Sequence, residues 1–231
     1  MINNTNTFKH SGGMGDLILG LPTVKELGGG LFYLHTSEHG VLGKLLEVQP
    51  YLKVESLPFA EWKEKQVTHN LDLFRTISKE SIAAMHADAF HVKPDFTKPW
   101  LFNIPPKKVA KIVIHDTGRQ RFPGYTVDWN LLRGHEKDCV FIGYKTSDYR
   151  IFLEDRKLDI PHYETKDLYE VAQVIAGCDL FIGNSSAPYT IAEGLKKPLV
   201  IDLYVGRPQY PLSHSGFVNL SEHLFKKAHI I

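Results

Sequence analysis

The chain has 231 residues, 43% hydrophobic and 23% charged, with a net charge of +1. That is enough sequence for one large or two small soluble domains with a sizeable core. The balanced charge gives no global case for nucleic acid or an anionic membrane, and leaves a local basic patch as the only electrostatic route to either.

The opening residues MINNTNTFKH are polar and lack the apolar core of a signal peptide. Within them TNTFKH reads as a strand. HSGGMGDLILGLP (10–22) follows as a glycine turn running into a helix through about Leu27. Pro22 lies inside that helix and is expected to kink or restart it, since its ring clashes with the preceding turn. GLFYLH (30–35) reads as a strand, GVLGKLLEV (40–48) as a helix and LKVESLP (52–58) as a strand. RTISKESIAAMHA (75–87) reads as a helix. HVKPDFTKPWLFNIPPKK (91–108) carries Pro94, Pro99, Pro105 and Pro106 and has no periodicity, which marks a linker.

KIVIH (111–115) and DCVFIGY (138–144) are short apolar strands, with a helical portion near VDWNLLRGH between them. TKDLYEVAQVIAGC is a helix in which Thr165 is the expected N-cap, Leu168, Val171, Ala172 and Ile175 share one face, and Gly177 is the stop. DLFIG (179–183) is a strand, NSSA a loop, PYTIAEGLKK a helix with Pro188 at its first position, and PLVIDLY (198–204) a strand. Apolar strands alternating with helices predict an α/β protein of parallel βαβ units. The proline-rich stretch divides it into lobes 1–105 and 106–210, followed by a segment 211–231. Ligands of such folds bind in the cleft at the carboxyl ends of the strands.

No stretch approaches the ~18–20 apolar residues of a membrane span. Cys139 and Cys178 sit in or beside apolar runs as small buried hydrophobes, so a cytoplasmic location is the default. The 12 histidines show no zinc spacing with a third ligand, so no metal site is expected.

Two loops carry the chemistry. In the first, Gly12, Gly13 and Gly15 let backbone approach a ligand at a helix N-terminus. The dinucleotide pattern G-x-G-x-x-G fails at Ile18, and no Walker lysine follows. Asp16 is open to two readings, a helix N-cap or first-turn acid and a general base on an acceptor hydroxyl. In the second, Gly183, Asn184, Ser185, Ser186 and Ala187 end a strand and open a helix, an arrangement suited to phosphate or diphosphate. Glu193 is placed to reach a ribose hydroxyl pair or to face solvent. Tyr189, Tyr204 and Tyr210 either stack on a nucleobase or pack a loop. His10, His35 and His115 lie at strand ends facing the cleft, as acid–base assistants or structural histidines.

GMGDLILGLPTVKEL resembles the N-terminal signature of the heptosyltransferase family (glycosyltransferase family 9), whose members have the GT-B fold. LFIGNSSAPYTIAEGLKKPLVIDL is similar to their second signature, and VIHDTGRQRFPGYTVDWNLL to the start of their C-terminal lobe. The likeness spans both lobes and is thin over 28–105. It implies two Rossmann-like lobes, the first acceptor-side and the second binding the nucleotide sugar. It also implies an inverting transfer without metal or other cofactor, with Asp16 as base. Gly13, Gly15, Asn184, Ser185, Ser186, Ala187, Thr190 and Glu193 would then hold the donor and its phosphates, with Arg119 and Arg121 as cationic partners. By analogy, the terminal helix would cross back to the N-lobe. Ser185 stands where the family has Asp, Ala187 where it has Gly and Thr190 where it has His, so donor identity is open. The chain is about a hundred residues shorter than typical members. The acceptor is a glycan or another hydroxyl, including a modified nucleic-acid base in a virus-like setting. The alternatives are a non-catalytic nucleotide-sugar-binding module and a nucleotide-sugar epimerase on the same fold.

Overall fold

The computed structural model describes residues 5–77, 81–118, 127–143 and 146–202. The first lobe runs β1 (Thr7–Lys9), α1 (Met14–Glu26), β2 (Gly30–His35), α2 (Thr36–Glu38) and, after a π-helical turn, α3 (Lys44–Glu47). It continues with β3 (Leu52–Leu57), α4 (Phe59–Glu64), β4 (His69–Asn70), a 3₁₀ turn over Leu71–Thr76 and α5 (Ile82–Ala89). The second lobe runs β5 (Ile112–His115), β6 (Cys139–Ile142), α6 (Thr146–Arg156), β7 (His162–Tyr163), α7 (Leu168–Gly177), β8 (Leu180–Asn184), α8 (Ala187–Gly194) and β9 (Leu199–Asp202).

The strands form two all-parallel sheets in the orders β3-β2-β1-β4 and β7-β6-β5-β8-β9. In each order the chain reverses direction beside the strand that opens the lobe, the topological switch where α/β folds place their ligands. β1 leads into the glycine turn of the first lobe, and β8 lies beside β5 in the second.

The second sheet is buried on both faces by strict alternation. Val113, Val140, Phe181, Leu199 and Ile201 point toward α7 and α8, into a core shared with Phe8, Leu17, Ile18, Leu21, Phe32 and Leu34 of the first lobe. Ile112, Ile114, Phe141, Leu180 and Ile182 point the other way, onto Trp129 and the Phe152 ring of α6. The two lobes therefore share one continuous apolar interior, a strong tie because burial of apolar area is the main driving term in folding.

Several local expectations are revised. α1 runs through Pro22 without a break. Its stretch from Leu17 to Val24 is entirely buried, and that packing holds the turn whose N–H the proline lacks. The N-cap of α7 is Asp167, which accepts the Glu170 N–H at 2.7 Å, while Thr165 lies buried two residues earlier. A carboxylate at the cap also complements the helix dipole. Pro188 is the second residue of α8, after Ala187. The predicted helix over 75–87 is a 3₁₀ turn ending at Thr76 and a separate α5 capped by Ser81, whose Oγ accepts the Ala84 N–H.

The proline-rich segment is a packed strap. Trp100 and Leu101 are buried, and both donate their N–H to the Gly194 carbonyl at the end of α8. On the other side the Trp100 carbonyl accepts from the Tyr51 hydroxyl at 2.6 Å, and Phe102 exchanges two bonds with the Gln49 amide. The terminal segment 211–231 lies outside the described residues.

Candidate functional site where the two loops meet

The β1–α1 turn and the β8–α8 loop touch. A Cβ placed on Gly15 would lie 3.5 Å from Thr190 Cγ2, 3.6 Å from Ala187 N and 3.7 Å from Ala187 Cα. A glycine at position 15 thus brings the first turns of α1 and α8 within van der Waals reach. Both helices begin at this contact, so their unsatisfied N–H groups and positive dipole ends converge on it.

Gly13 is the N-cap of α1, and no side chain caps the helix. Asp16 is the third residue of the first turn, half-buried, with Gly13 beside its Oδ2. Among the described residues its carboxylate makes no hydrogen bond or ion pair; it is a first-turn acid and not a cap. Burial raises its pKa, against an opposing pull from the Arg75 guanidinium.

Arg75, in the 3₁₀ turn after β4, is the cation of this site that the sequence did not single out. It lies over the Phe74 ring at 4.7 Å, 3.7 Å from Asp72 Oδ1, with its side chain half exposed. A Cβ on Gly12 would collide with its Nη2 and with the His10 ring, so cation and imidazole both crowd the glycine turn. Asp72 fastens the same turn by accepting the Ser11 N–H on both carboxylate oxygens at 3.1 Å.

Two fully buried histidines lie beneath. His10 accepts the Gly12 N–H on Nδ1 at 3.0 Å. Burial lowers its pKa to about 4, with Asp72 opposing and Arg75 assisting. His86, on α5, donates Nε2–H to the Asp16 carbonyl at 3.1 Å. Burial, reinforced by His10, lowers its pKa to about 3. Both are neutral rings packed on Phe74.

The second loop is wired differently. Asn184 is buried, donating Nδ2 to Asp116 Oδ1 at 2.7 Å and to the Thr117 carbonyl at 2.9 Å, and accepting the Thr117 N–H on Oδ1. Asp116 in turn pairs with Arg156 at 3.2 Å. Ser186 Oγ donates to the Asn184 carbonyl and Thr190 Oγ1 to the Ala187 carbonyl. Glu193 is fully buried, with Oε1 2.6 Å from Lys196 Nζ. Tyr189 is wholly enclosed in the shared core. Among the described residues, what this loop offers a ligand is the backbone at Ser185, Ser186 and Ala187 together with the half-buried Ser185 hydroxyl.

The other predicted residues lie apart. His35 bonds Ser37 and Glu38 and packs edge-on against Phe59 and Trp62. His115 donates Nδ1–H to the Ile142 carbonyl, and its desolvation lowers its pKa. Arg119, Arg121, Tyr204 and Tyr210 lie outside the described residues. Among the described residues no group of three or more His, Cys, Asp or Glu is arranged to hold a metal ion, and no helix is long and apolar enough to cross a membrane.

No protein-family model matches the chain, and no curated protein is significantly similar to it in sequence. Solved structures are. A glycosyltransferase family 9 protein from Veillonella parvula DSM 2008 superposes with a TM-score of 0.59 at 14% identity, covering 100% of this chain and 91% of that one. The Escherichia coli heptosyltransferase WaaC, solved with ADP-2-deoxy-2-fluoro heptose, gives 0.58 at 10% identity, covering 96% and 99%. The iron-containing dodecameric glycosyltransferase TibC of enterotoxigenic E. coli H10407 gives 0.58 at 12%, covering 94% and 63%. At these identities the likeness is one of fold: the protein has the two-lobed, GT-B-like architecture of the family 9 glycosyltransferases and heptosyltransferases.

Proposed function

We propose that the protein is an inverting glycosyltransferase that moves a sugar from a nucleoside-diphosphate sugar to an acceptor hydroxyl, without a metal or other cofactor, in the cytoplasm. One observation carries this reading. A carboxylate of raised proton affinity, without a hydrogen-bond or ion-pair partner among the described residues, stands beside the contact at which the α8 amide end meets α1.

The chemistry follows from that placement. Asp16 takes the proton of the acceptor hydroxyl. The oxygen attacks the anomeric carbon on the face opposite the diphosphate, the carbon–diphosphate bond breaks, and the configuration inverts. A raised carboxylate pKa makes a better base at neutral pH. The charge developing on the leaving diphosphate faces the Ser186 and Ala187 amides and the α8 dipole, which are fixed before the reaction and need no reorganisation. Arg75 is placed to balance charge beside Asp16; Arg119 and Arg121 are proposed as further phosphate partners. The ADP-heptose-type donor bound in WaaC supports a nucleotide sugar as the donor class.

The test measures nucleotide release from a panel of nucleotide sugars and acceptors for the wild type and Asp16→Asn. The expected result is a rate loss of ~10²–10⁴ with donor binding kept. Undiminished turnover in the variant removes Asp16 as base. Donor binding without turnover under any acceptor indicates a binding module, and interconversion of the donor without acceptor indicates an epimerase.

A further inference from the structure

Beneath Asp16 lie two fully buried side chains, His10 and His86. In α1 the Asp16 carbonyl is the normal acceptor for the N–H of Gly20. A carbonyl oxygen has two lone pairs, and the second receives His86 Nε2–H at 3.1 Å. Gly20 makes this approach feasible. A Cβ there would stand 3.2–3.3 Å from Cε1, Nε2 and Nδ1 of His86, tighter than ordinary packing. Glycine inside a helix costs about 1 kcal/mol relative to alanine, and here the missing methyl is the space the ring occupies. The ring is held in turn by Phe74 at 4.2 Å and His10 at 5.7 Å.

We propose that His86 is a positioning residue: entering the notch at Gly20, it grips the backbone of Asp16 and fixes where the Asp16 carboxylate sits at the meeting of the two loops. This rests on the reading of Asp16 as the base. Among the described residues the charged and titratable groups of this seat are Arg75, which acts on the carboxylate, His86 on its backbone carbonyl, His10 beside His86 and Asp72 beside His10; α8 contributes Ala187 and Thr190 next to Gly15, which do not titrate. Both imidazoles are held neutral by burial, so the grip on the Asp16 backbone adds no positive charge to that of Arg75, which opposes the upward shift that burial gives the carboxyl.

The experiment compares His86→Met, which deletes the donor, with His86→Gln, which keeps an N–H at similar reach. The readouts are the Asp16 carboxyl titration by ¹³C NMR in the unliganded protein, assigned with Asp16→Asn, and the acid limb of kcat/KM. With the seat loosened the carboxylate hydrates, so in His86→Met its midpoint moves down by about one pH unit. The acid limb follows, and kcat falls ~10-fold with donor KM unchanged. His86→Gln restores both. A folded His86→Met that titrates at the wild-type midpoint overturns the proposal. If His86→Met does not fold, Gly20→Ala presses on the same ring and must move the midpoint the same way; no movement there is equally fatal. The titration needs no substrate, so an unmoved midpoint sinks the positioning role alone, whereas a fully active Asp16→Asn sinks the base and leaves the titration result standing.

Discussion

The two loops share one grammar, a parallel strand, a short run of small residues and a helix, yet they offer opposite things. In the β1–α1 turn the backbone is tied down, by Asp72 at Ser11 and His10 at Gly12, and one side chain, Asp16, has no bonding partner among the described residues. In the β8–α8 loop the Asn184, Ser186, Thr190 and Glu193 side chains are committed to the protein, and among the described residues the amides at the helix start and the Ser185 hydroxyl are left over. The difference teaches that a strand–turn–helix unit becomes a proton acceptor or an anion cradle according to which half of its polar groups the rest of the fold consumes.

The largest expected effect breaks the first loop from below. His10 and His86 have folded pKa values of about 4 and about 3, below the ordinary 6.5. Between 6.5 and these values the unfolded chain binds protons that the folded protein does not. Stability is therefore complete above about pH 6.5 and is lost as pH falls toward 4, by several kcal/mol in total. Urea unfolding from pH 7.5 to 4.5 should show this slope, and a His10→Gln/His86→Gln double variant should flatten it. An equally steep slope in the double variant would assign the acid sensitivity elsewhere.

Next in size, Asn184→Ala attacks the second loop. It strips partners from the buried Asp116 carboxylate and from both backbone groups of Thr117, and should cost about 3 kcal/mol in urea unfolding. Nucleotide affinity should fall with it, since Asn184 fixes the strand end that aims the loop. A variant of normal stability would mean that the wiring is not what holds the loop.

The smallest effect sharpens the contact between the two. Gly15→Ala meets Thr190 and Ala187 at ordinary packing distance, so it should fold, with stability raised by less than about 1 kcal/mol through helix propensity. Its methyl stands over the Ala187 amide, so nucleotide affinity should drop ~10-fold by calorimetry. Unchanged affinity takes the Ala187 amide out of the donor site.

Much of this was legible in the sequence. β-branched and aromatic strands buried on both faces announce themselves as apolar runs, and glycine or small-residue turns mark the starts of α1 and α8, which the structure brings into contact. What escaped notice lacked periodicity or depended on distant partners. β4 and β7 are two residues long. α6 buries only Phe152, so its sequence carries no stripe. Arg75 follows the unseen β4, and nothing near it in sequence points toward Asp16. Asn184 reads as a donor contact through the resemblance of its loop to the family's second signature; its bonds to Asp116 and Thr117 are visible only once β5 and β8 are paired. His86 did leave a trace, as the one polar residue in the apolar run IAAMHA, whose match is Gly20 on another helix.

The strap through Trp100 acts mechanically as a tie-rod. Its backbone is bonded to Gly194 on one lobe and to Tyr51 and Gln49 on the other, and it crosses beside the seam where the shared core is continuous. Swinging the lobes apart would break those bonds together, at about 1 kcal/mol each, while exposing apolar area. The connection that reads as a linker in the sequence is therefore a brace, and a catalytic cycle that required wide opening would have to work against it at every turnover.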